Sequence, residues 1–194
     1  MLTKSPGMAA MPESARPDAT RPDAARQGLG GAATTRDLLF LREAELRLAQ
    51  DLLFFGYRDF TAGPDQILAE LGMGRAHHRV LHYVGRRPGI TVGELLSILA
   101  ITKQSLGRVL QPLIEDGYVL QNPGRQDKRQ RLLSLTEKGQ AFERRLFECQ
   151  REVVMRAYRE AGPQAVEGFR RVMRGLMGAE ANGWIDQLEK GCQP

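Results

Sequence analysis

Apolar residues recur at helical spacing along most of this chain, and one stretch, residues 91–135, breaks that rhythm with two short helical patterns followed by two strand patterns. From residue 36 the segment RDLLFLREAELRLAQDLLFFGYRDF sets Leu38, Leu41, Leu46, Leu48, Leu52, Leu53, Phe55 and Phe60 around much of a helix's girth. A helix of that kind is buried against more than one partner. Gly63–Pro64 predicts its stop, with a short helix over residues 65–71 and a breaker at Gly72–Met73–Gly74. The next helix is expected over residues 75–86, with Val80, Leu81, Tyr83 and Val84 on it and Pro88–Gly89 after it.

Thr91–Val92–Gly93–Glu94 is a capping box: the Thr91 hydroxyl accepts a free amide and Glu94 reaches back to the Thr91 amide. Leu95, Leu96, Ile98 and Leu99 give the helix behind it a core side. Ala100–Ile101 reads as a turn and Thr102 as the N-cap of a second helix over residues 102–116. Leu106, Val109, Leu110, Leu113 and Ile114 form its single apolar stripe. Off the stripe lie Lys103, Gln104, Ser105, Gly107, Arg108 and Gln111, none of them acidic. Such a face suits the major groove, where Arg reads guanine and Gln reads adenine, each pair contributing about 1–3 kcal/mol of discrimination. Gly107 carries two readings, close approach of the backbone to DNA or tight packing within the chain. Pro112 is expected to kink the helix.

Residues 118–121 and 131–135 read as an antiparallel pair around the loop 122–129. Pro123–Gly124 supplies turn chemistry, and Arg125, Lys128 and Arg129 supply charge. A hairpin tip so basic and free of apolar residues reaches solvent, and beside a groove-reading helix it reaches the neighbouring minor groove, whose narrow A·T segments attract Arg.

Beyond the hairpin, Thr136–Glu137 starts a helix running through Phe142, Leu146, Phe147, Val153, Val154 and Tyr158 to Gly162–Pro163. A last helix carries Val166, Phe169, Val172, Met173, Leu176 and Met177, with Trp184, Ile185 and Leu188 near its end. These helices and the first long one are read as adding nothing to the central motif, so their apolar faces call for a two-fold dimer, which would also supply two reading heads one helical turn apart. The expected organisation is a disordered tail over residues 1–35, rich in Pro, Ala, Gly and Arg, then N-terminal dimerisation helices over 36–72, a DNA-binding lobe over 73–136 and C-terminal dimerisation helices over 137–190.

Composition sharpens this picture modestly. A net charge of +5 and a pI near 9.6 fit a polyanionic partner. Cys149 and Cys192 lie far apart and in no metal-ligand spacing, which fits a reducing compartment. No signal-peptide or membrane-length apolar run is found, so a soluble cytoplasmic protein is expected. His78 and His82 are four apart, a spacing able to hold a metal from one helix face. No Cys or carboxylate partner follows at matching spacing, so a structural or pocket-lining role is preferred, and no metal or cofactor is expected. Gly-rich phosphate loops, HExxH and GxSxG are absent from the sequence, and an enzyme is not expected.

The run GRAHHRVLHYVGRRPGITVGELLSILAITKQSLGRVLQPLIEDGYV, followed by GRQDKRQRLLSLTEKG, resembles the MarR family of bacterial transcriptional regulators. Its most specific pieces are Asp127–Lys128–Arg129 and the LTEKG of residues 135–139, while AHHRVL and ITKQSL are similar to the PetP-type subgroup. The resemblance implies a mainly α (α+β) fold, a winged helix-turn-helix with N- and C-terminal helices forming a dimerisation domain. It also implies a homodimer on pseudo-palindromic promoter DNA. Thr102, Lys103, Gln104, Ser105 and Arg108 occupy the recognition-helix positions, Arg129 would enter the minor groove, and Asp127 would hold the wing and its arginine. Relatives bind small aromatic effectors between the dimer region and the DNA-binding lobe, a crevice approached here by Tyr57, His77, His78 and Arg79. Cys149 does not match the family's oxidant-sensing position. The expected function is therefore a DNA-binding transcriptional regulator. The alternative is a nucleoid-type or protein-interaction protein on the same fold.

Overall fold

The computed structural model describes residues 39–124 and 127–190, so the expectation of a disordered tail over residues 1–35 and the loop residue Arg125 lie outside the described residues. The chain divides into two units, Met1–Glu45 and Leu46–Pro194. In the first, Leu39–Leu41 forms a 3-10 turn, closed by the Arg42 amide on the Leu39 carbonyl at 3.2 Å.

α1 (Glu43–Ala69) runs through Gly63–Pro64 without stopping, so the predicted break and separate short helix are one continuous element. The reason lies elsewhere in the chain. Pro64 has no amide to give the Phe60 carbonyl, and Gln150 Nε2 donates to that oxygen instead, at 3.5 Å. Gly63 faces Cys149 of the same neighbouring helix, whose Sγ would lie in ordinary van der Waals contact with an added Cβ, at 3.6 Å. The buried Thr61 hydroxyl bonds back to the carbonyls of Tyr57 and Arg58, both at 3.0 Å.

α2 (Arg75–Arg86) follows, and Gly89, at φ +85°, turns the chain into β1 (Ile90–Thr91). This two-residue strand is too short to show a period and was not foreseen. It pairs with β3 (Arg131–Leu135) through Ile90 opposite Leu133. α3 (Val92–Leu99) and α4 (Lys103–Glu115) precede β2 (Val119–Pro123), which pairs antiparallel with β3 from Val119–Leu135 to Pro123–Arg131. The sheet order is β1-β3-β2, so Pro123 sits on an edge strand, where its missing donor is tolerated. The fold is mainly helical with a small antiparallel sheet, a winged helix-turn-helix.

α5 (Glu137–Leu176) is interrupted at Gly162, whose φ of 80° and ψ of 167° are not helical, so the break read at Gly162–Pro163 is a kink between two helical segments. The single last helix expected after it is two elements: α5 ends at Leu176 and α6 (Ala179–Lys190) starts anew. Asn182 Nδ2 serves the carbonyls of Arg174, Met177 and Gly178, which accounts for the stop.

The core draws Val80, Leu81 and Val84 from α2, Leu95 from α3, Leu106, Leu110 and Leu113 from α4, and Leu133 from β3. It also includes Leu68 of α1 and Phe142 and Leu146 of α5. The flanking helices therefore do contribute to the winged motif, contrary to the sequence reading. Each such buried side chain contributes about 1.5–3 kcal/mol relative to an exposed one. The start of α5 is fixed the same way. Thr136 caps it, accepting the Gly139 amide at 2.9 Å and donating to the Gly117 carbonyl at 2.7 Å. Lys138 Nζ covers the Asp116 carbonyl at the end of α4 at 2.7 Å, and a Cβ on Gly139 would collide with the Tyr118 carbonyl. That is the physical content of LTEKG. Among the described residues no helix is long and apolar enough to cross a membrane.

Candidate nucleic-acid interface

α4 is set by two caps and the turn between them. Thr91 Oγ1 accepts the Glu94 amide at 3.1 Å and Glu94 Oε2 accepts the Thr91 amide at 2.9 Å, which starts α3. Ala100 then takes the left-handed conformation at φ 51°, an unfavourable position for a residue with a Cβ. It bends the chain so that Thr102 can start α4, its Oγ1 accepting the Ser105 amide at 3.2 Å. Thr102 and Ser105 also share a hydroxyl–hydroxyl bond of 2.9 Å, so both are engaged at the helix start while remaining exposed. Burial pushes the Glu94 carboxyl up, but the Thr91 amide and hydroxyl and the Arg87 guanidinium outweigh it, and the group sits below the usual carboxylate range.

Along α4 the division is clean. Leu106, Leu110 and Leu113 are buried, while Lys103, Gln104, Gly107, Arg108 and Gln111 are exposed on the other side. Gln111 Nε2 donates to Glu115 Oε1 at 2.7 Å. An added Cβ on Gly107 would meet nothing within 4 Å, so packing against the described residues does not account for this glycine. The helix carries Pro112 in its interior and continues to Glu115, where the Asp116 amide bonds the Pro112 carbonyl at 2.8 Å.

The described residues on either side of the hairpin tip are tied together by their own backbone. Gly124 donates to the Gln130 carbonyl and Gln130 to the Asp127 carbonyl, both at 3.0 Å. Asp127 Oδ1 accepts the Arg129 amide at 2.9 Å, and Arg131 Nη1 donates to the Lys128 carbonyl at 3.2 Å. Asp127, Lys128 and Arg129 are exposed. A helix face of amides and cations next to a cationic hairpin can neutralise phosphates and reach base edges.

The expected effector residues are only partly brought together. Arg79 Nη2 donates to the Tyr57 hydroxyl at 2.7 Å, and Arg75 lies 5.5 Å from the Tyr57 ring centroid while pairing with Asp65 at 2.7 Å. His77 is occupied in starting α2, its Nδ1 accepting the Gly74 amide at 3.1 Å. Burial, with His82 beside it, pushes the His78 imidazole below its ordinary value. His82 lies 3.6 Å from Glu143, and among the described residues no group of three or more His, Cys, Asp or Glu is placed to hold a metal. Tyr57 also borders an apolar groove of about 570 Å³ between α1 and α5, lined by Leu52, Leu53, Phe60, Val153, Val154, Tyr158, Val166 and Phe169 among others.

The MarR family model matches residues 71–130. The HTH-type transcriptional regulator PetP of Rhodobacter capsulatus is 54% identical over 147 residues, covering 76% of this chain and 89% of that protein. Among solved structures, the Streptococcus pneumoniae FabT in complex with DNA aligns with a TM-score of 0.61 at 16% identity, covering 74% of this chain and 99% of that one. A SlyA-like transcription regulator from Listeria monocytogenes aligns with a TM-score of 0.56 at 19% identity, covering 75% and 95%.

Proposed function

The chain belongs to the MarR family and is a DNA-binding regulator of transcription; on that premise we propose that it binds pseudo-palindromic promoter sites as a homodimer through α4 and the β2–β3 hairpin. The observation that carries the reading is the division of α4 into a buried leucine stripe and an exposed face of Lys103, Gln104, Ser105 and Arg108 without an acid. Gln104, Ser105 and Arg108 read base edges, while Lys103 and the exposed side of Thr102 meet phosphates. Lys128 and Arg129, with Arg125, contact the adjacent minor groove, and Asp127 orders that tip. The reading lobe comprises residues 73–136, and dimerisation helices lie in 36–72 and 137–190.

Support for the dimer comes from apolar surface that one chain leaves open. Leu52, Phe54 and Val172 are each 64% exposed, and the α1–α5 groove is lined almost wholly by carbon. A second copy covers such surface and sets two heads on half-sites about 34–36 Å apart. The Arg79–Tyr57 bond supports a small aromatic effector approached by Tyr57, His77, His78 and Arg79, and the protein acts in the cytoplasm.

The test starts from duplexes selected from genomic fragments by the purified protein. Arg108→Ala should relax base preference at one position in each half-site. Lys103→Ala should weaken all sequences alike and lower the salt slope by about one unit. A mass in solution equal to one chain at every concentration would sink the two-headed reading.

A further inference from the structure

α6 has two engaged faces. Toward α5, Asp186 and Glu189 hold Arg174 at 2.7 and 3.0 Å, and Asn182 closes the last carbonyls of α5. The other face, Glu180, Trp184, Gln187 and Leu188, follows the i, i+4, i+7, i+8 spacing of one helical side and meets the reading lobe. Ser97 Oγ of α3 donates to Glu180 Oε1 at 2.7 Å. Arg87 lies 5.3 Å from the Trp184 ring centroid and its Nη1 donates to Gln187 Oε1 at 3.2 Å. Arg86 Nη2 reaches the Leu188 carbonyl at 3.5 Å, and the Leu188 side chain is buried. The Trp184 indole N–H is buried without a hydrogen-bond partner, so packing and the Arg87 guanidinium hold that ring. The second nitrogen of Arg87, Nη2, donates to Glu94 Oε1 at 3.0 Å, and Glu94 is the carboxylate that caps α3. One guanidinium thus joins the end of α2, the start of α3 and α6.

We propose that α6 is a strap that fixes the angle of the reading lobe against the C-terminal segment of α5, with Arg87 as the positioning residue through which it acts on DNA recognition; the inference rests on the two-headed reading above. Two heads select one half-site separation only if each is held before it meets DNA. A head free to swing must be ordered on binding, and then no single separation is favoured strongly. The strap therefore governs selectivity for spacing, while the exposed face of α4 governs selectivity for bases.

The experiment compares the full-length protein with Arg87→Ala and Trp184→Ala on the selected duplex and on duplexes with one or two base pairs inserted or removed between the half-sites. Wild type is expected to prefer one spacing by about tenfold or more, and both variants to prefer it by only about two- to threefold with base preference in each half-site unchanged. Trp184→Ala is the deciding variant, because it does not touch the cap of α3. If it keeps the wild-type spacing profile, or if both variants lose affinity equally at every spacing, the strap is overturned. A wild-type protein without any preferred spacing would refute the two-headed reading, and the strap with it.

Discussion

Asp127 Oδ1 accepts the backbone amide of Arg129 at 2.9 Å, so the carboxylate of the wing orders the residue proposed to carry its charge into the groove. The bond is local and exposed, and its loss should hardly change stability, within about 0.5 kcal/mol. Asp127→Ala should nevertheless weaken operator binding about tenfold, equivalent to about 1.4 kcal/mol, because the tip must then be ordered on binding. Fluorescence anisotropy on the selected duplex measures this. Unchanged affinity and footprint in Arg129→Ala would show that the wing takes no part.

Gly107 sits in the interior of α4, where glycine is less favourable than alanine by about 1 kcal/mol, and nothing within the described residues fills the space beside it. Gly107→Ala should therefore raise the thermal midpoint while lowering operator affinity about tenfold, if DNA approaches this spot closely. A more stable variant with wild-type affinity would remove Gly107 from the contact surface.

The pH dependence of folding should have two steps on the acid side. His78 is held below its ordinary value of 6.5 by burial and by His82, so the unfolded chain takes up a proton first. The stability this represents is complete above pH 6.5 and is lost as pH falls through the lowered folded value. Glu94 has a folded value below 4.5, so its contribution is complete above pH 4.5 and declines as pH falls further. Urea midpoints measured from pH 8 to 3 should show the lower step shrink in Glu94→Gln. Thr91→Ala should cost about 1 kcal/mol at neutral pH through loss of the cap.

Local chemistry was readable in the sequence, and distant compensation was not. The Thr91–Glu94 box, the Thr102 cap and the apolar stripe of α4 each depend on residues within a turn or two, and each appears where the spacing predicts. Gly63–Pro64 reads as a stop because the donor that rescues the Phe60 carbonyl, Gln150, is 90 positions away. The strap was invisible for the same reason: Ser97 and Glu180 are separated by 83 positions, Arg87 and Gln187 by 100. β1, at two residues, carries no period at all. The candidate readers on α4 stand out because exposure there follows directly from the stripe. The effector residues do not, since His77 is spent on capping α2 and only Tyr57 and Arg79 of that set bond each other.

Sequence-specific reading of duplex DNA can be measured by competition between the selected operator and random duplex as salt rises. Nonspecific binding rests on phosphate contacts and falls steeply with salt. At about 150–200 mM salt the operator should remain bound at least 10³-fold more tightly than random duplex. If the two affinities fall together and stay within a few-fold of each other, the protein coats DNA without reading it, and the assignment of Gln104, Ser105 and Arg108 as readers is wrong.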